Sequence, residues 1–105
     1  MISRIWHGWT TFKNAPVYEN LLRAEVFPSI ESKKVKGYKK ISLLKRELEN
    51  EVEFITIMLF EDMEAVGRFA GVDHEKSYVP DKAKKVLSGY DARAQHYEII
   101  NEIFY

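Results

Sequence analysis

The stretch Glu51-Val-Glu-Phe-Ile-Thr-Ile-Met-Leu-Phe-Glu61 runs without a loop residue into Asp62-Met-Glu-Ala-Val-Gly-Arg-Phe-Ala-Gly71, and these two segments decide the fold. Six of the seven residues from Phe54 to Phe60 are large and apolar, which predicts a central strand covered on both faces. Asp62 and Gly71 are typical of the start and the end of a helix, which would pack back on the sheet. Helices of the same chain can cover one face of the strand, whereas the other face requires a second subunit.

The composition limits the size and the partners of the protein. The 105 residues suffice for one domain spanning residues 1–105. Lys plus Arg and Asp plus Glu both number 16, so the chain has no net attraction for nucleic acid or an anionic membrane. The absence of Cys excludes thiolate chemistry and is typical of a reducing compartment. With no apolar run near the roughly 20 residues of a membrane span and no signal-peptide core, we expect a cytoplasmic protein that binds neither nucleic acid nor membrane.

The other segments predict the remaining elements of an α+β domain. They indicate a strand over 2–11, a helix from Pro16 that breaks or kinks near Phe27 and continues as a short second piece through about Ser32, a strand over 38–46, a short helix over 80–89 and a last strand over 92–100. The order is that of a ferredoxin-like split βαβ fold, with a four-stranded antiparallel sheet and both main helices on one face. The uncovered face would expose a large apolar patch, so we expect a homodimer packed sheet to sheet.

Alternation in the first strand separates its side chains into two sets. One set holds Ser3, Ile5, His7 and Trp9, and the other holds Arg4, Trp6, Gly8 and Thr10. Each set carries a Trp, so hydrophobicity alone does not say which set faces the helices. We assign His7 and Trp9 to the helix-facing side. Trp6 is assigned to the dimer interface, together with His96 and Glu98 of the last strand, which would form a polar link between subunits.

Four segments resemble one known family. They are Met1-Ile-Ser-Arg-Ile-Trp-His-Gly8, the block from Leu59 to Gly71, Tyr78-Val-Pro-Asp81 and His96-Tyr-Glu98. Together they are similar to the antibiotic biosynthesis monooxygenase superfamily of dimeric α+β barrels, over nearly the whole chain. The resemblance implies a pocket between sheet and helices within each subunit. Members include cofactor-free oxygenases of polycyclic aromatic substrates, heme-degrading monooxygenases, quinol oxygenases and many proteins with no known activity, so the resemblance indicates the fold more strongly than a reaction.

The resemblance also indicates what to expect of cofactors. The heme-degrading branch has an Asn on the first strand, a Trp on the second helix and a heme-ligating His soon after, where this chain has His7, Phe69 and His74. Two of the three positions differ, so we expect no heme degradation. Three scattered His residues without a helical His-x-x-x-His pair indicate no metal site. We therefore predict a protein without metal, flavin or other cofactor.

The candidate site residues follow from these assignments. His7 is the candidate catalytic base for a bound phenol; the alternative is a core His satisfied by a hydrogen bond. Trp9, Phe69, His74 and Tyr78 are the candidate substrate-binding residues. The predicted function is a cofactor-independent, monooxygenase-like protein that binds a small hydrophobic or aromatic molecule. The alternative is a non-catalytic dimeric ligand-binding or stress-associated protein of the same fold.

Overall fold

The computed structural model describes residues 1–105 and contains one antiparallel sheet with helices on one face. The elements in chain order are β1 (Ile2–Thr10), α1 (Ala15–Leu21), a π-helical turn (Leu22–Val26), α2 (Phe27–Ser32), β2 (Tyr38–Glu47), β3 (Val52–Phe60), α3 (Met63–Ala70), α4 (Asp81–Val86), β4 (Gly89–Tyr90) and β5 (Gln95–Glu98). The strand order is β2-β3-β1-β4, and β5 also pairs with β1. The predicted α+β, ferredoxin-like architecture is confirmed. No helix has both the length and the apolar character that a bilayer crossing requires.

The last strand differs from the prediction because it is divided into β4 and β5. Gly8 pairs with Tyr90 and Ile5 pairs with Gln95, so two residues of β1 face four residues of the last strand. The extra residues bulge out of the ladder. Asp91 fills the gap, since its N–H donates to the carbonyl of His7 at 2.9 Å and its carboxylate accepts the His7 N–H at 3.0 Å.

The first helical segment was predicted to break or kink near Phe27, and α2 (Phe27–Ser32) begins there as a second piece that continues directly from the π-helical turn. Pro28 has no N–H to donate within the helix, and the chain accommodates it with the π-helical turn, in which the N–H of Phe27 donates to the carbonyl of Leu22. The turn keeps four buried side chains on one face, at spacings of four residues: Tyr18, Leu22, Val26 and Ile30. The whole segment therefore covers the sheet as one long helix.

The helices and the sheet enclose the core. Tyr18 meets the ring of Phe54 edge-on at 5.0 Å between centroids, and Phe60 contacts Phe69 of α3 at 5.8 Å. Asp62 caps α3 as predicted, because its carboxylate accepts the N–H of Ala65 at 2.9 Å. Each buried Phe stabilises the fold by about 1.5–3 kcal/mol relative to exposure.

The opposite face of the sheet is uncovered in the single chain. Residues paired across strands share a face, and the register joins Ile5 to Ile57, His7 to Ile55 and Ile55 to Leu44. These side chains are half-buried or exposed. They form what we call the open face, an apolar surface with His7 within it.

The structure corrects the assignment of the two faces of β1. Trp6 is only 8% exposed and lies under the helices, where its indole N–H donates to the carbonyl of Asp91 at 3.0 Å. The placement of Trp6 at the dimer-facing side was therefore wrong. His96 and Glu98 pair with Arg4 and Ile2, so they too lie on the helix-facing side and not on the side to which they were assigned; their contact with a second subunit stays a prediction.

Candidate functional site

A cavity lies between the sheet and the helices. It is lined by Arg4, Trp6, Tyr18, Leu22, Val26, Phe27, Ile30, Ile41, Thr56, Met58, Phe69, Tyr78, Val79, Pro80 and Ala83. The open space within it is about 40 Å³, which is room for roughly three water molecules. The cavity is thus mostly filled by its own side chains, and a ligand larger than a few waters would displace some of them.

The structure brings only part of the predicted site to this cavity. Phe69 and Tyr78 line it, with 5.5 Å between their ring centroids. Trp9 lies on the open face, on the same side of β1 as His7. His74 lies on the outer side of α3, where its Nε2 is 3.0 Å from the point that a Cβ on Gly67 would occupy. Trp9 and His74 are therefore not placed to contact a ligand in the cavity.

His7 is held on the open face by Asp91. Its Nδ1 lies 2.6 Å from Oδ2 of Asp91, and its ring stacks on Trp9 at 6.1 Å with 14° between the planes. The carboxylate also accepts a hydrogen bond from Gln95 at 3.2 Å. The expectation that His7 faces the cavity is wrong. Its hydrogen bond agrees with the alternative of a satisfied His, although the partner is a carboxylate.

Arg4 is the residue of the site that the sequence analysis missed. Its side chain lines the cavity and is only 3% exposed. Nη1 donates to the carbonyl of His74 at 2.6 Å and to Nε2 of His96 at 2.9 Å, and Nη2 donates to the carbonyl of Lys76 at 2.7 Å. The guanidinium lies 5.4 Å from the ring centroid of Phe69. Burial lowers the pKa of Arg4 to about 10, against the opposing influence of Glu75.

Two further polar groups meet this cluster. Burial lowers the pKa of His96, and the charge of Arg4 lowers it further. Its Nε2 accepts from Arg4, so the ring is the neutral tautomer with the proton on Nδ1. Burial raises the pKa of Tyr18, which lines the same cavity. At neutral pH, Arg4 is therefore the charged group of the cavity.

The rim of the cavity carries a second cation. Nζ of Lys33 lies 4.4 Å from the ring centroid of Tyr78 and 5.6 Å from that of Phe69. No Asp or Glu is among the lining residues. The cavity thus combines aromatic walls with a positive electrostatic environment.

Comparisons with known proteins agree on the architecture. No family model matches the sequence, and no curated protein sequence matches it. Among solved structures, a proposed antibiotic biosynthesis monooxygenase from Bacillus cereus is 10% identical, with a TM-score of 0.68 over 99% of this chain and 97% of the other. The heme-degrader MhuD from Mycobacterium tuberculosis, with two hemes bound in its active site, is 16% identical, with a TM-score of 0.62 over 99% of this chain and 100% of the other.

A third structure is similar over nearly the same length. SnoaB, a cofactor-independent oxygenase from Streptomyces nogalater, is 17% identical, with a TM-score of 0.56 over 97% of this chain and 96% of the other. At these identities the likeness establishes a fold, and it does so over almost the entire chain. The chain therefore shares one fold with these three proteins, the α+β fold predicted from its sequence.

Proposed function

We propose that this protein binds a small aromatic molecule in the cavity between the sheet and the helices. The observation that carries the proposal is the lining itself, in which the rings of Tyr18, Phe69 and Tyr78 surround an apolar space next to a few polar groups. Concave sites of this composition are typical of small-molecule binding. The π-helical turn at Leu22–Val26 also contributes to the lining, and such turns occur frequently at functional sites.

Entry of a ring requires side chains to move outward. Tyr78, Val79 and Pro80 line the cavity from the connection between α3 and α4, which has no helix or strand of its own. Connections of this kind open at lower free energy than core elements. Displacement of these residues enlarges the cavity without breaking the sheet, so the connection is the proposed entrance.

Oxidation of the bound molecule without a cofactor is the finer hypothesis. It would need the phenolate form of a substrate and a group to accept the proton. The cavity lining contains no His and no carboxylate, and the lone pair on Nε2 of His96 already accepts from Arg4. The geometry thus supports binding more directly than base catalysis, and oxygen uptake separates the two.

Two matched Ala variants test the binding proposal. Ala83 is 2% exposed and lines the cavity, whereas Ala94 is 1% exposed and does not. Monocyclic phenols and indole are screened by thermal shift, and ligands are then titrated calorimetrically. We expect Ala83→Val to weaken binding by about tenfold, the scale of losing one favourable contact in a filled site, and Ala94→Val to leave it unchanged.

Two results of this screen would contradict binding in the cavity. If no aromatic compound raises the melting temperature, or if Ala83→Val binds as tightly as the unmodified protein, the cavity is not the site. Any ligand found is then followed with an oxygen electrode. Uptake that depends on both ligand and protein supports an oxygenase, and binding without uptake supports the non-catalytic alternative.

We also propose that a second copy of the chain covers the open face. Ile5, Ile55 and Ile57 form its apolar centre, and an exposed patch of this kind is typical of an interface. The C-terminal side chains Phe104 and Tyr105 are also almost fully exposed in the single chain. A homodimer packed sheet to sheet would remove the open face from water.

A further inference from the structure

We propose that the cavity selects aromatic molecules that carry an anionic oxygen, either a carboxylate or a phenolate, and that Arg4 is the charge partner of that oxygen. The inference rests on the proposed function, since it names the class of ligand that the same cavity takes. It starts from a single unusual feature, a buried guanidinium that no carboxylate contacts within salt-bridge distance, although the charge of Glu75 acts on it from farther away.

Arg4 contacts the backbone of the segment from His74 to Lys76, and the acidic residues of this part of the chain are paired with another cation. No carboxylate oxygen lies within 4.0 Å of the Arg4 guanidinium. Asp73 and Glu75 instead bind Arg93, at 2.6 and 3.6 Å. The three acceptors that Arg4 does contact are two backbone carbonyls and the neutral ring of His96. A buried charge without an opposite charge is unfavourable, so an anion at this place is stabilised.

Two of the N–H donors of Arg4 make no hydrogen bond within the protein. A guanidinium carries five N–H donors, and the observed contacts use three of them. Nε makes no hydrogen bond within the protein. Hydrogen bonds from a guanidinium to an anionic oxygen are shorter and stronger than those between neutral groups. The unused donors are therefore suited to a carboxylate or phenolate oxygen that enters the cavity.

The surroundings of Arg4 locate the ring of such a ligand. The guanidinium lies over Phe69, and Lys33 lies over both Phe69 and Tyr78 at the rim. Two cations and no lining carboxylate make the potential in the cavity positive. An aromatic ring beside Phe69 and Tyr78 would thus hold its anionic substituent next to Arg4.

Four single-ring probes test the inference, chosen because the cavity is small. Benzoate is anionic, benzamide is its neutral isostere, benzylamine is cationic, and 4-nitrophenol ionises near neutral pH with a visible colour change. We expect benzoate to bind about tenfold or more tightly than benzamide, as is typical of a hydrogen bond to a charged group, and benzylamine not to bind. Bound 4-nitrophenol should show a larger phenolate absorbance at pH 6 than free 4-nitrophenol if phenolates are accepted.

Two variants of Arg4 test whether this residue causes the preference for benzoate over benzamide. Arg4→Gln should bring the ratio of the affinities for benzoate and benzamide close to one and abolish the phenolate enrichment, whatever the absolute affinity for benzamide becomes. Arg4→Lys should keep a preference for benzoate because it retains the charge. Circular dichroism checks the fold of each variant. If Arg4→Gln does not fold, the ratio of benzoate to benzamide in the unmodified protein and in Arg4→Lys still decides the question.

The failures of the two proposals differ. If benzamide binds the unmodified protein as tightly as benzoate, the anion preference is refuted while aromatic binding stands. If benzoate is preferred but Arg4→Gln keeps the preference, another cation is responsible and the role of Arg4 is refuted. If none of the four probes binds, both the inference and the proposed function fail.

Discussion

Gly8 is the position where a single methyl group tests the packing around the cavity most directly. A Cβ on Gly8 would lie 2.9 Å from Cη2 and Cζ3 of Trp6 and 3.1 Å from Cδ2 of Leu87. The indole is not free to move away, because its N–H donates to the carbonyl of Asp91 at 3.0 Å and to the hydroxyl of Ser77 at 3.2 Å. Overpacking of this kind typically costs about 1–3 kcal/mol.

We therefore expect Gly8→Ala to lower the free energy of unfolding by about 1–3 kcal/mol, and the melting temperature by about 4 °C for each kcal/mol. Urea denaturation at one fixed protein concentration measures the change. Gly89→Ala is the matched control, since a Cβ there has its nearest neighbour at 4.0 Å, in Trp9. This control should be neutral or stabilising, because Ala in a strand has less conformational freedom to lose than Gly.

A double-mutant cycle identifies the cause. In the background of Trp6→Leu the methyl group at position 8 no longer meets the indole, so Gly8→Ala should cost less than about 0.5 kcal/mol. The coupling energy between the two positions should then be about 1 kcal/mol or more. Effects of Gly8→Ala and Trp6→Leu that add within about 0.5 kcal/mol would show that the Trp6 ring is not what excludes a side chain at Gly8.

Three shorter predictions concern the cap, the open face and pH. Asp62→Ala should destabilise the protein by about 1 kcal/mol in urea denaturation, because the Ala65 N–H loses its acceptor; Asp62→Asn should restore most of the loss. Light scattering should give twice the 12.3 kDa chain mass, and Ile57→Lys on the open face should give the single mass; a folded monomer before mutation would refute the dimer. The pKa of His96 lies below its usual 6.5 because of burial and Arg4, so the unfolded state binds more protons. Stability should thus fall as the pH drops below 6.5, and His96→Gln should weaken that dependence, whereas an unchanged pH profile would contradict it.

The sequence predicts the β3–α3 unit well because each of its signals is local. Asp62 caps the helix through a residue three positions ahead, and Gly71 ends it at φ +89°, a conformation that favours Gly. The apolar run from Phe54 to Phe60 needs no partner to be recognised as a strand. Local chemistry of this kind also places Phe69 at the cavity, because Phe69 is a buried residue of α3.

The two faces of β1 were not predictable in the same way. Alternation separates Trp6 from His7 but gives no sign of which one enters the core, because both faces carry a Trp. Asp91 contacts both side chains. Its carbonyl accepts the indole N–H of Trp6, and its carboxylate binds His7 on the other side of the strand. Asp91 is more than 80 residues away in the chain, in a bulge that the strand pattern does not reveal.

The burial of Arg4 was also not predictable from the sequence, because its contacts come from distant residues. The hydrogen bonds of Arg4 offset the free energy that burying its charge costs. An Arg in a strand is normally solvated, but the carbonyls of His74 and Lys76 fold over this one. Burial lowers its pKa to about 10, which corresponds to about 3 kcal/mol against the buried charge. Hydrogen bonds to a charged group contribute about 1.5–3 kcal/mol each, so the observed three are enough to hold the cation in place. Because those bonds go to neutral acceptors and leave Nε unused, the stabilising contacts of Arg4 and its capacity to bind an anion do not compete.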